Sequence, residues 1–105
     1  MANTRQPLPD FDAAAPQWLI TTRQSLARLA ALPNNWDGYG SPALTRAAIQ
    51  AAHRLLKTLE QLPLPAPQVF PVTGGGLSFS WQQGNRELDI EILPDGSAQY
   101  LNQRA

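Results

Sequence analysis

Leu77-Ser78-Phe79-Ser80-Trp81-Gln82-Gln83-Gly84-Asn85-Arg86-Glu87-Leu88-Asp89-Ile90-Glu91-Ile92 is the stretch on which the fold turns. Apolar and polar residues alternate on both sides of Gly84-Asn85, the period of a half-buried strand. A two-residue loop that opens with glycine suits a type II′ hairpin. It sets Gln83 against Arg86, and so Trp81 against Leu88, Phe79 against Ile90 and Leu77 against Ile92. A slip of one residue would set apolar side chains against carboxylates, so the register is strongly specified. Working outward, Pro94-Asp95-Gly96 has the form of a type I turn with glycine in the left-handed position. A third strand over residues 98–102 then places Ala98 opposite Ile92 and Tyr100 opposite Ile90. Upstream, Val69-Phe70-Pro71-Val72 is short and apolar, and its proline confines it to an edge.

Before the strands, the period changes to that of helices. Trp18, Thr22, Ser25, Leu26, Leu29 and Leu32 recur at three- and four-residue steps. They predict a helix over about 13–32, with Asp12 as N-cap, Ala13 to Pro16 as the first turn and Pro33 as the stop. A second helix is predicted over about 45–62. Thr45 would cap it, Leu44 and Ile49 stand at the staple positions, and Ile49, Ala52, Leu56 and Leu59 form the apolar face. Pro63, Pro65 and Pro67 end it. Residues 1–12 read as a loose arm and 13–105 as one α+β domain. Its two helices are expected to pack on one face of a three- to four-stranded antiparallel meander, with strands near 69–72, 77–83, 86–93 and 98–102.

Composition narrows the function classes. The 105 residues carry eight basic and eight acidic side chains, so the formal net charge is zero. That balance argues against broad electrostatic attraction to nucleic acid or anionic membrane. No run approaches the about 18 apolar residues of a membrane span, and the first residues lack a signal peptide's apolar run. A cytoplasmic setting is the expectation. With no cysteine there is no disulfide, thiolate nucleophile or thiolate metal site.

The most distinctive string is Asn34-Asn35-Trp36-Asp37-Gly38-Tyr39-Gly40-Ser41-Pro42, between the helices. Two aromatics among turn-forming residues suit a binding loop. The structural alternative has Asp37 and the glycines shaping a tight connection while Trp36 and Tyr39 plug the open end of the core. The part from Asn35 to Pro42 resembles a motif of small uncharacterised bacterial proteins. In them it is followed by a helix and a Gly-Gly-apolar-x-apolar-x-Trp strand, here Gly75 to Trp81. A Leu-x-Ile-Glu-Ile strand and an Asp-Gly turn come next, here Leu88 to Ile92 and Asp95-Gly96. The likeness covers roughly residues 29–101. It implies the helix-then-meander order and brings no catalytic residue or cofactor with it.

Thr73-Gly74-Gly75-Gly76 lacks the Lys-Ser/Thr and the following helix of a phosphate loop, and reads as a turn. His53 is the one histidine, so a zinc site lacks further nitrogen or sulfur ligands. Glu87, Asp89 and Glu91 share one strand face at steps of roughly 6.8 Å, too wide for all three to hold one cation unaided. They form a negative stripe. Residues 1–62 hold six basic and four acidic side chains, and residues 63–105 hold two and four.

These readings favour a non-enzymatic protein-interaction module of the antitoxin, immunity or accessory-subunit kind. It would bind one partner protein, such as the product of a neighbouring gene, through Glu87, Asp89 and Glu91 or through Trp36, Asp37 and Tyr39. No metal or cofactor is expected, and a homodimer is compatible. One rival is nucleic-acid association by the helical half through Arg46, Arg54 and Lys57. Another is a small hydrolase or metal-assisted enzyme drawing on Asp37, His53 and the acidic group.

Overall fold

A computed structural model describes residues 15–104 of the chain. The arm at residues 1–12, the Asp12 cap and Ala13-Ala14 fall outside the described residues. The elements follow in the order α1 (Gln17–Ala30), α2 (Arg46–Leu59), β1 (Gln68–Val72), β2 (Gly76–Gln83), β3 (Arg86–Ile92) and β4 (Ala98–Arg104). The strands form one antiparallel sheet in chain order, β1-β2-β3-β4. No helix of the described residues is long and apolar enough to cross a membrane.

The hairpin chemistry reads through to the register. Gln83 faces Arg86, Trp81 faces Leu88, Phe79 faces Ile90 and Leu77 faces Ile92. The next turn sets Ile92 against Ala98 and Ile90 against Tyr100. Gly84 has φ +65° and Gly96 φ +90°, each in the left-handed position that its turn demands. Strand β1 lies at the edge, as Pro71 requires.

The helix ends differ from the sequence reading. Helix α1 starts at Gln17, with Pro16 as an extended N-cap at φ −64° and ψ 149° instead of a first-turn residue. A proline disfavours the helical conformation of the residue before it, so Ala15 cannot propagate the helix through Pro16. Helix α2 stops at Leu59, three residues short of expectation. The ring of Pro63 would clash with the carbonyl of Leu59, and Leu62 is pushed out of the helical region, so residues 60–62 close only a turn. At the other end Thr45 caps α2 as expected, its hydroxyl oxygen accepting from the Ala48 amide at 3.0 Å.

One core cluster unites both helices with one face of the sheet. It contains Leu19, Leu26 and Leu29 of α1, Ala48, Ala51, Ala52 and Leu56 of α2, Leu77, Phe79 and Trp81 of β2, and Ile90 and Ile92 of β3. Thr22 of α1 is buried as well, its hydroxyl satisfied by donating to the Trp18 carbonyl at 2.6 Å. The core does not reach the first residues of β4. Ala98 is exposed and Tyr100 keeps 72% of its surface in solvent, although it faces buried Ile90.

Candidate functional site

The loop at residues 34–43 is a closed hydrogen-bonded unit. Asn34 Oδ1 accepts from the Ala43 amide at 2.8 Å, and Asn35 Oδ1 accepts from Gly40 at 2.7 Å. The Asn35 amide donates to the Ser41 carbonyl at 2.6 Å, closing the base of the loop. Asp37 Oδ1 accepts from the amides of Tyr39 at 2.9 Å and Ser41 at 3.2 Å, while the Ser41 hydroxyl donates to Asp37 Oδ2. Trp36 Nε1 donates to the Pro42 carbonyl at 3.0 Å. Asn35 and Gly38 turn the chain at φ 65° and 78°, a region that asparagine tolerates better than most side chains. Nearly every residue type of the motif thus satisfies an amide or a turn.

That geometry revises the structural reading of the two aromatics. Tyr39 is 92% exposed, and Trp36 stands outside the core cluster, so neither plugs the core. The loop spends its polar groups on itself. The Ser41 hydroxyl first, and the Tyr39 amide next, hold Asp37 below the usual carboxylate range. Both its oxygens are engaged as acceptors, which makes it a poor general base.

Three of the sequence motifs meet at the start of α2. The Thr45 amide donates to the Gly75 carbonyl at 3.0 Å, and the Thr45 hydroxyl donates to the Pro94 carbonyl at 2.6 Å. A Cβ on Gly75 would lie 3.1 Å from Thr45 Cγ2 and 3.5 Å from the Ala43 carbonyl oxygen. The loop, the glycine turn and the Asp-Gly turn therefore brace one another around the helix cap. No phosphate cradle forms there, because the Gly75 carbonyl, not its amide, points at the helix.

The acidic stripe lies on the sheet face that the core leaves bare. Glu87, Asp89 and Glu91 of β3 stand opposite Gln82, Ser80 and Ser78 of β2. On the other side Glu91 faces Gln99 of β4. All three are half-buried, and no cation pairs with any of them among the described residues. The Ser80 hydroxyl reaches Glu87 Oε2 only at 3.4 Å, and Asp89 Oδ1 is buried without a partner among the described residues. Phe70 of β1 joins the same face: it pairs with Ser78, which pairs with Glu91, and it is 45% exposed. Sequence reasoning overlooked Phe70, although alternation around Val69 and Pro71 puts it on the outer face.

The residues named for the rival chemistries stay apart. His53 of α2 accepts from Arg23 Nη1 of α1 through Nδ1 at 2.8 Å. This contact needs a neutral ring with its proton on Nε2. Burial, and then the Arg23 charge, lower the His53 pKa. No hydrogen bond joins His53, Asp37 and the stripe, and no group of three His, Asp or Glu suited to a metal occurs among the described residues. Arg46, Arg54 and Lys57 are exposed on α2, with Lys57 Nζ 3.4 Å from Glu60. No family model, no curated protein and no solved structure matches the chain.

Proposed function

We propose that this protein is a non-enzymatic interaction module, of the antitoxin, immunity or accessory-subunit kind, that binds a basic partner protein through the outer face of its sheet. The observation that carries the reading is the row Phe70-Ser78-Glu91 together with Asp89 and Glu87. It combines an exposed aromatic ring with three half-buried carboxylates that have no cation of their own among the described residues. Half-burial makes each carboxylate worth more to an incoming Lys or Arg than a fully solvated one, since less water screens the pair. The aromatic supplies apolar area beside the charge, the composition common at interface centres. The 34–43 loop serves as a brace in this reading, with Tyr39 as an accessory contact.

The test is charge reversal against a defined partner, the product of the neighbouring gene. Glu87→Lys/Asp89→Lys/Glu91→Lys should fold and lose binding. The matching triple Gln variant should associate at least about tenfold more slowly, with a flatter salt dependence. Undiminished binding by the Lys variant would remove the stripe from the interface and leave Trp36 and Tyr39 to be tested in its place.

A further inference from the structure

The two edges of the sheet are unequal. Strand β1 carries Pro71, which blunts its edge. Strand β4 runs seven residues, Ala98-Gln99-Tyr100-Leu101-Asn102-Gln103-Arg104, with no proline and no charged residue before Arg104. The phase of its ladder is set by the Leu93 amide donating to the Ser97 carbonyl at 2.8 Å. Hydrogen-bonded pairs alternate in an antiparallel ladder, so residues 99, 101 and 103 turn their amides and carbonyls toward β3. Ala98, Tyr100, Asn102 and Arg104 turn theirs to the open side. Among the described residues, the core face beside this edge is also uncovered. A groove of about 590 Å³, lined by Leu59, Leu62, Leu64, Trp81, Leu88 and Tyr100 among others, runs up to it.

We infer that β4 is a homodimer edge: two copies of this chain pair β4 against β4, antiparallel, about a two-fold axis at Leu101. This surface is distinct from the outer face proposed for a partner. The strand is self-complementary in this register. Gln99 stands opposite Gln103 of the second copy, Tyr100 opposite Asn102, and Leu101 opposite itself. All four outward-turned residues of each strand then find partners. The two Tyr100 residues become diagonal neighbours, at the roughly 7–8 Å spacing that aromatic rings can span, and the two grooves meet across the joint.

Charge favours a second copy over a charged peptide strand, because no charge on residues 98–103 would select one. The acidic strands of the two copies would lie three strand spacings apart, about 14 Å. That exceeds the Debye length of about 8 Å at physiological salt, so the two stripes do not oppose the pairing. A β1-to-β4 contact would lack the Pro71 amide and would propagate without closing, whereas β4-to-β4 closes as a two-fold dimer. An interface this narrow belongs to the weak, transient class.

Cysteine-free sequence makes the register directly testable. Leu101 would meet its mate as a non-hydrogen-bonded pair with Cα atoms about 4.5 Å apart, inside the range that a disulfide spans. Oxidised Leu101→Cys should give a covalent dimer. Gln99→Cys alone should form no covalent dimer under the same oxidation, and an equimolar mixture with Gln103→Cys should cross-link. Sedimentation of the parent should show dimer growing with concentration, and Tyr100→Pro should abolish it, since the lost amide faces away from β3. If Tyr100→Pro fails to fold, amide exchange of the parent decides: Tyr100 and Asn102 should gain protection on concentration. A parent that stays monomeric at about 1 mM overturns the proposal. So does efficient cross-linking of Gln99→Cys alone, or protection of these amides already at high dilution, which would mean that the chain covers its own edge.

Discussion

Gly76→Ala is the sharpest probe of how the sheet is held to its neighbours. Gly76 opens β2, pairs with Val72 of β1, and has no positive φ, so alanine meets no backbone strain there. The obstacle is space alone. An ideal Cβ at this position lies 2.3 Å from the Ile92 carbonyl oxygen, about 1 Å inside ordinary contact. A backbone carbonyl within the β2–β3 ladder cannot rotate aside like a side chain. Either the strands part at Leu77–Ile92, which breaks ladder bonds and lifts two fully buried residues, or the start of β2 slides. Overpacking of this kind costs roughly 3 kcal/mol, the upper end of the usual range, because rigid backbone must move. With a denaturant slope of about 1 kcal/mol per molar for a domain this small, the urea midpoint should fall by about 3 M. Gly84→Ala is the matched comparison: nothing lies within 4 Å, and its φ of +65° alone predicts a loss of about 1–2 kcal/mol. A cooperative Gly76→Ala variant with the parent's midpoint would refute the close approach, and with it the reason for glycine at that position of the Gly-Gly strand motif.

Two further predictions rest on single side chains. Trp81 is 5% exposed and lies 5.8 Å, centroid to centroid, from Phe79, so Trp81→Ala should cost roughly 3–5 kcal/mol in chemical denaturation. Trp81→Phe should lose far less than its volume implies, because it also removes a buried Nε1 that has no partner among the described residues; equal losses for both variants would show that this N–H is satisfied. His53 has a folded pKa below its unfolded value near 6.5, so its contribution to stability is complete above about pH 6.5 and declines as the pH falls toward the folded pKa. The urea midpoint should therefore drop between about pH 7.5 and 5.5, and His53→Gln should flatten that drop; an unchanged slope would place the sensitivity elsewhere, since the lowered pKa values of Asp37 and Asp95 act only below about pH 4.

Local chemistry alone sets the strand register. Gly84-Asn85 and Pro94-Asp95-Gly96 are short-range devices, and period-two alternation leaves one pairing that keeps Leu77, Phe79, Trp81, Ile90 and Ile92 on one face. The Thr45 cap and the edge position of the Pro71 strand are equally local. Where the core ends depends instead on how the layers pack. Tyr100 alternates as faithfully as Ile90, yet it is 72% exposed because, among the described residues, the helices' buried side chains meet β2 and β3 and stop short of Tyr100. Alternation specifies a face, whereas burial depends on how far another layer reaches. The Asn-Trp-Asp-Gly-Tyr-Gly string reads equally well as binding loop or tight connection. Only the meeting of Ser41, Pro42 and Ala43 with Asp37, Trp36 and Asn34 shows that its polar groups are spent on the loop itself, leaving Tyr39 in solvent. Likewise, the spacing of Glu87, Asp89 and Glu91 and the short hairpin turns already set Gln82, Ser80 and Ser78 beside an acidic stripe; only the structure shows that all three carboxylates are half-buried, because partial burial depends on layers and strand curvature that alternation does not encode.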